Sequence, residues 1–232
     1  MEIILGGSQK INGEVLSPNQ YAELISETLQ EVSETFNSDL TWDSYTPRYH
    51  FMATDVDQIL QLILDPKSAL YDDLGRAVES LGRHVRFFSK DPRGFEFQAG
   101  FGGILSSTPE KAQGTGIRFP CKFIEQYVSL DAMLKLLWEQ IQRWQLLAAD
   151  ITNIKLMDQI MPPSDEIHGA PWGPVCYDAR LLDGDFAEAE KLGFERYEDI
   201  LYVKGASLTQ ENDTAIDDKI KEIVFWFEQF QI

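Results

Sequence analysis

The sequence predicts an α+β fold in which a central, mainly antiparallel β-sheet is flanked by α-helices. Two alternating apolar and polar runs, 83–89 and 95–101, flank a short segment with Pro92 and Gly94. That arrangement is typical of a β-hairpin with a longer loop. Apolar stripes at helical spacing, each of which needs a covering surface, occur at 17–36, 54–80, 129–147 and 213–230. An antiparallel sheet is the simplest structure against which the apolar stripes of all these helices could pack.

The hairpin supplies the predicted core. Side chains alternate between the two faces of a strand, so five apolar residues should share one face: Val85, Phe87, Phe95, Phe97 and Phe101. We therefore expect the helices to pack against that face.

Several elements have recognisable boundaries. Ser17, Pro18 and Gln20 form the pattern of a capping box at the start of the first helix. Asp55 resembles a second cap, and a further helix is predicted from Ser68 to about Leu81. Residues 39–47 are predicted to be a loop or an edge strand, and 148–161 are ambiguous between strand and helix. The remaining predictions are strands at 1–5, 117–120, 175–181 and 200–203, and a helix at 185–192 that ends at Gly193.

The composition favours one folded domain over residues 1–232. The chain is 44% hydrophobic and holds 14 Phe, which is ample for a core, and no Gly/Ser/Pro-rich linker divides it. No apolar run approaches the roughly 20 residues of a membrane span. Residues 1–7 resemble a first strand and not a signal peptide. We expect a cytoplasmic protein without membrane attachment.

The two cysteines exclude a disulfide scaffold and a cysteine-rich zinc site. Cys121 and Cys176 have no CxxC spacing and no neighbouring His. Both are expected to be buried free thiols in a reducing compartment.

The net charge of −18 is unevenly distributed. Residues 17–80 hold three Lys/Arg against 12 Asp/Glu, residues 164–232 hold six against 16, and residues 81–163 hold ten against eight. A highly solvated surface explains much of this acidity without any partner. The charge disfavours binding to nucleic acid, because the phosphate backbone would be repelled. A basic protein partner is the better inference.

No recognised catalytic motif is present. The best metal candidates are two pairs of closely spaced carboxylates, Asp55 with Asp57 and Asp183 with Asp185. Both pairs precede predicted helices, where acidic residues stabilise the N-terminus without a metal. We favour that second interpretation and expect neither a catalytic residue nor a cofactor.

A partner-binding surface is predicted where aromatic residues and acids share irregular segments. Trp and Tyr in polar loops are often interaction anchors, although they can also pack against a sheet edge. The predicted contact residues are Asp39, Trp42, Asp43, Tyr45, Trp172, Asp178, Asp183, Asp185 and Glu188.

Five features together resemble the immunity protein 52 family of bacterial polymorphic toxin systems. They are the aromatic hairpin, the overall length, and the segments Asp39–Trp42, Trp172–Val175 and Leu192–Phe194. The resemblance implies an α+β protein that binds and neutralises a cognate basic nuclease toxin of the restriction-endonuclease-like kind, often delivered by type VI secretion. It implies no catalytic residues. The alternatives are a divalent-metal hydrolase that uses Asp183 and Asp185, and a general acidic adaptor.

Overall fold

The structure is a computed structural model that describes residues 2–9, 16–45, 48–70, 74–77, 82–91, 94–101, 113–120, 129–153, 173–208 and 214–228. The chain divides into two compact units, Ser8–Arg118 and a second formed by Met1–Gly7 with Phe119–Ile232. Each unit combines antiparallel strands with helices, so the α+β prediction is confirmed. The prediction of a single domain over residues 1–232 stays a prediction.

In the described part of the 8–118 unit, five strands lie side by side in a sheet. Their spatial order is β3-β2-β4-β5-β6. The bounds are β2 Thr41–Tyr45, β3 Arg48–Met52, β4 Arg83–Ser89, β5 Glu96–Phe101 and β6 Gln113–Pro120. The predicted hairpin is β4 and β5, with Phe87 opposite Phe97 in an antiparallel register. All five predicted core residues of this hairpin are buried.

Helices α1 (Pro18–Thr35) and α2 (Val56–Leu64) belong to the same unit. The capping box is confirmed, because Gln20 N donates to Ser17 Oγ at 3.4 Å and Ser17 N donates to Gln20 Oε1 at 2.8 Å. Asp55 caps α2 by accepting from Gln58 N at 3.0 Å. This bond satisfies a backbone amide of the helix terminus and supports the capping interpretation of Asp55.

Two predictions in this unit are wrong. Residues 41–45 and 48–52 form the antiparallel pair β2–β3, so the segment predicted as a loop or an edge strand contains β2, an inner strand between β3 and β4. The helix predicted from Ser68 is absent from the part of that range that the structure describes, residues 68–70 and 74–77: a short 3-10 helix, Pro66–Ser68, follows α2, and Ala69 then bridges Arg83 of β4. Gly75 adopts a φ of +73°, which lies outside helical backbone geometry.

The unit that contains residues 119–232 is built on strands in the order β1-β7-β8-β10-β9. Their bounds are β1 Glu2–Gln9, β7 Ala148–Asn153, β8 Val175–Asp178, β9 Phe194–Tyr197 and β10 Ile200–Val203. The ambiguous segment from 148 therefore begins as a strand. Strand β9 was not predicted.

Among the described residues of this unit, three helices accompany the strands: α3 Leu130–Trp144, α4 Asp183–Lys191 and α5 Thr214–Glu228. They confirm the predictions for 129–147, 185–192 and 213–230. Gly193 ends the turn after α4 with a φ of +90°, a conformation that L side chains rarely adopt. Phe186, Phe194, Ile220 and Trp226 lie in a core cluster that also contains Cys176.

Cys176 is a buried free thiol, as predicted, whereas Cys121 lies outside the described residues. Cys176 Sγ donates to the carbonyl of Gly173 at 2.9 Å. Burial, and then the charge of Asp150, raises the pKa of this thiol. Because the thiolate is the reactive form, Cys176 should be unreactive in the native protein.

We expect a disulfide reagent to label Cys176 of a Cys121→Ser variant only slowly under native conditions. The same variant should react at once in concentrated guanidinium chloride, which exposes the thiol. Absorbance of the released thiolate measures both rates. Native labelling as fast as labelling of the unfolded chain would contradict the buried position.

Candidate partner-binding surfaces

Trp42 is not a surface anchor. Its side chain is 0% exposed in β2, and its Nε1 donates to Ser33 Oγ of α1 at 3.4 Å. The prediction that Trp42 lies exposed in an irregular segment is therefore wrong. The ring packs on the core face of the sheet because Trp42 and Ser44 point inward, while Asp43 between them points to the opposite face.

The neighbouring predicted residues have different environments. Asp39 is exposed and closes the turn before β2 by accepting from Thr41 N at 3.0 Å and Thr41 Oγ1 at 2.8 Å. Asp43 is hydrogen-bonded to His50 Nδ1 and lies 3.8 Å from Lys90 Nζ. The backbone of Tyr45 pairs with Arg48 at the end of β2. Trp172 lies outside the described residues.

Asp178 is also not a surface residue, being 2% exposed at the end of β8. Its carboxylate accepts from Arg180 N at 2.9 Å and Arg180 Nε at 2.8 Å, with a further short bond from Arg180 NH2. These bonds to Asp178 raise the pKa of Arg180, against the opposing effect of burial. The prediction that Asp178 belongs to the partner-binding surface is therefore wrong: its carboxylate is buried and paired with Arg180 of the same chain.

The three predicted acids of α4 are each at least partly exposed. Asp183 and Glu188 are exposed, and Asp185 accepts from Leu182 N at 2.8 Å, which caps the helix. Beside them, Leu182 is 72% exposed. An apolar side chain bordered by carboxylates has the composition of an interface centre with a polar rim. The sequence interpretation included the acids and missed Leu182.

Helix α5 carries a second surface of this kind. Ile220, Ile223 and Trp226 are buried against the core. At 100° per residue, Phe225 falls on the opposite side, and it is 76% exposed. Asp218, Lys221 and Glu222 are exposed on the same side. We call these four residues the α5 outward face.

The sequence contains the signal for this face. The apolar stripe of α5 includes Ile220, Ile223 and Trp226 at helical spacing, and Phe225 is out of phase with it. A large aromatic residue out of phase with a buried stripe is expected at the surface.

Helices α4 and α5 are tied together within their unit. Lys219 Nζ of α5 donates to the carbonyl of Leu192 at 2.8 Å, just beyond the end of α4. The same ammonium group lies 5.9 Å from the centroid of the Phe194 ring. Both helices also bury side chains in one cluster, including Phe186 of α4 and Ile220 of α5. The two acidic surfaces therefore belong to one packed body.

Neither a metal centre nor a membrane helix is found in the described parts of the chain. Within the ranges given above, no cluster of three or more His, Cys, Asp or Glu side chains has a metal-binding arrangement. No described helix is long and apolar enough to cross a bilayer.

Comparisons with known proteins show distant structural similarity only. No protein-family model and no curated protein matches the sequence. The chain is similar to the solved structure of a Pseudomonas aeruginosa T6SS protein at 12% identity and a TM-score of 0.46. The match covers 97% of this chain and 75% of the other. Membership of the immunity protein 52 family stays a prediction from the sequence motifs.

Proposed function

We propose that this protein is an immunity protein that binds a basic nuclease toxin and neutralises it by occupying the surface the toxin needs for its substrate. The observation that carries the proposal is the α5 outward face, where Phe225 is 76% exposed beside Glu222 and beside Asp218, which pairs with Lys221 at 3.4 Å. Exposed aromatic residues are frequent hot spots of protein interfaces, and surrounding carboxylates favour a cationic partner. The toxin class follows the resemblance to the immunity family.

Charge supports the same partner at longer range. The chain carries −18 at neutral pH, and α1 adds an exposed acidic face with Glu23, Glu27 and Glu34. A nuclease needs a basic surface to bind phosphates. Opposite net charges accelerate association, and salt screens that attraction. Association should therefore slow with added salt more than dissociation accelerates.

In this proposal the chain acts stoichiometrically and not as an enzyme. Nuclease activity should fall linearly with added protein and reach its minimum near one equivalent. The assay uses the basic nuclease encoded beside this chain, with a labelled DNA or RNA duplex as substrate. Loss of activity at far below one equivalent would indicate catalysis by this chain and would contradict the proposal.

Phe225→Ala should weaken toxin binding by about 2 kcal/mol or more, roughly 30-fold in Kd, because truncation removes the apolar centre of the face. The melting temperature should hardly change, since the ring makes little contact with the core. Calorimetry and a thermal melt on the same preparation separate these effects. Tyr49→Ala, an exposed aromatic truncation in the other unit, is the matched control.

The two acidic surfaces can be distinguished by a second pair of variants. Leu182→Ala tests α4, and Asp218→Asn with Glu222→Gln tests the charges of α5. If Phe225→Ala and the α5 charge variant bind normally while Leu182→Ala fails, the contact lies on α4. If the wild-type chain shows no binding to the nuclease at about 0.15 M salt, where charges are only partly screened, the proposed function is wrong.

A further inference from the structure

The 8–118 unit contains a cleft that the proposed function does not use. Its volume is about 540 Å³, within the range of small-molecule sites. The cleft lies where β2, the 3-10 turn after α2, and β4 approach one another. Its lining residues are Ser44, Leu62, Lys67, Ser68, His84, Val85, Arg86, Phe87 and Phe88.

One wall of the cleft is held in place by hydrogen bonds within the chain. Arg83 NH1 donates to the carbonyl of Ile63 at 2.9 Å and to Ser68 Oγ at 3.2 Å. Ser68 Oγ in turn donates to the carbonyl of Asp65 at 2.7 Å. The guanidinium thus satisfies a carbonyl at the end of α2 and joins the 3-10 turn to β4. The wall is therefore formed without a ligand.

Ser44 has unused hydrogen-bonding capacity in this cleft. The residue is 5% exposed, and its hydroxyl makes no hydrogen bond with any described part of the chain. Ser44 lies opposite Phe87 in the β2–β4 register, on the core face of the sheet. A ligand oxygen that enters the cleft could accept a hydrogen bond from this hydroxyl.

Among the described residues that line the cleft, Lys67 is a cation that remains available. It is exposed and forms no ion pair within the ranges that the structure describes. Arg86, by contrast, is held by Glu96 through Nε to Oε1 at 2.5 Å and NH2 to Oε2 at 2.7 Å. A cation without a counterion that lines the same cleft as a hydroxyl able to donate favours an anionic group.

The remaining lining is suited to an uncharged part of a ligand. Leu62, Val85 and Phe87 provide apolar surface. Burial, and then the charge of Arg86, lowers the pKa of His84, while Glu96 acts in the opposite direction. His84 is therefore a neutral imidazole at neutral pH, which can donate or accept one hydrogen bond without adding charge.

We propose that this cleft binds an organic anion, with its carboxylate or phosphate head on Lys67 and Ser44 and its apolar body against Leu62, Val85 and Phe87. The proposal is independent of toxin binding. A chain that failed to bind any nuclease could still bind this ligand.

Phenyl phosphate and phenylacetate are suitable probes, because each joins one anionic head to one apolar ring. Inorganic phosphate tests the head alone, and benzyl alcohol tests the ring without charge. We expect saturable binding of one or both aromatic anions by calorimetry, at least about tenfold tighter than inorganic phosphate and benzyl alcohol. The probe that binds with the higher affinity shows whether the cleft prefers a phosphate or a carboxylate head group. Equal binding of benzyl alcohol, or no binding of either anion at millimolar concentration, would overturn the proposal.

Variants then place the site. Lys67→Gln should weaken binding of the better probe about tenfold, and Ser44→Ala should weaken it severalfold, because each removes a bond to a charged group. Lys90→Gln is the matched control, since Lys90 is in the same unit, faces Asp43 and does not line the cleft. Ser44→Ala should also melt no lower than the wild type, because its hydroxyl has no partner to lose. Unchanged affinity in both cleft variants, or an equal loss in Lys90→Gln, would exclude the site.

Discussion

Trp42→Ala is expected to lower the free energy of unfolding by about 3–5 kcal/mol, the range for truncating a buried aromatic side chain. The ring is fully buried in β2, an inner strand, so its removal leaves a cavity between the sheet and α1. The substitution also removes the bond from Nε1 to Ser33 Oγ, and leaves that buried serine without this donor. Chemical denaturation followed by far-UV circular dichroism measures the loss.

Tyr49→Ala is the control for this experiment. Tyr49 lies on the adjacent strand β3, opposite Ser44, and is 49% exposed. Its truncation should therefore cost much less than that of Trp42. A Trp42→Ala variant with near-normal stability and weakened partner binding would restore the interface interpretation and contradict the buried position.

The error over Trp42 shows which information the local sequence lacks. Residues 41–45 alternate in a way that suits a strand, with Thr41 and Asp43 on one face and Trp42 and Ser44 on the other. What the pattern does not reveal is which face α1 covers. The indole of Trp42 is buried because α1 packs on this face. Ser33 of α1, nine residues earlier in the chain, accepts a hydrogen bond from Trp42 Nε1. An aromatic residue beside two acids can therefore belong to the core.

Predictions that rest on local bonds were confirmed. Ser17 and Gln20 need only each other to form the capping box, and the β4–β5 hairpin joins residues close in the chain. For Asp178, the prediction from local sequence was wrong. Its residue type and position suggested a surface charge, yet its carboxylate is buried and accepts hydrogen bonds from the exposed Arg180, two residues away. The pair was close enough in sequence to be considered, but burial of the carboxylate depends on the surrounding sheet.

The same difference between local and long-range contacts decides which of the candidate sites could be predicted. Phe225 could be placed outward from helical phase alone, because the stripe of α5 is local. The cleft could not be predicted, since Ser44, Lys67 and His84 are more than 15 residues apart and meet only when β2, the 3-10 turn and β4 assemble. The 3-10 turn Pro66–Ser68, which forms one wall of the cleft, was not predicted, because a helix was expected from Ser68.

The second large loss of stability is expected on truncation of Phe97, in the core formed by the β4–β5 hairpin. This residue is fully buried on β5, which lies between β4 and β6. Across the sheet it faces Phe87 on one side and Ile117 on the other, and the rings of Phe87 and Phe97 are 6.2 Å apart with planes 14° apart. Phe97→Ala should therefore cost about 3–5 kcal/mol of unfolding free energy.

Phe97→Leu separates the volume of this side chain from its aromatic contact. Leucine refills part of the cavity, so this variant should be clearly more stable than Phe97→Ala. A double-mutant cycle of Phe87→Leu with Phe97→Leu should give a coupling energy of about 0.5–1.5 kcal/mol, the range for aromatic pairs. Gln98→Ala, the next residue on the opposite face of β5, is the control and should cost far less. A small effect of Phe97→Ala, or strict additivity in the cycle, would mean that the paired rings of β4 and β5 do not form the centre of this core.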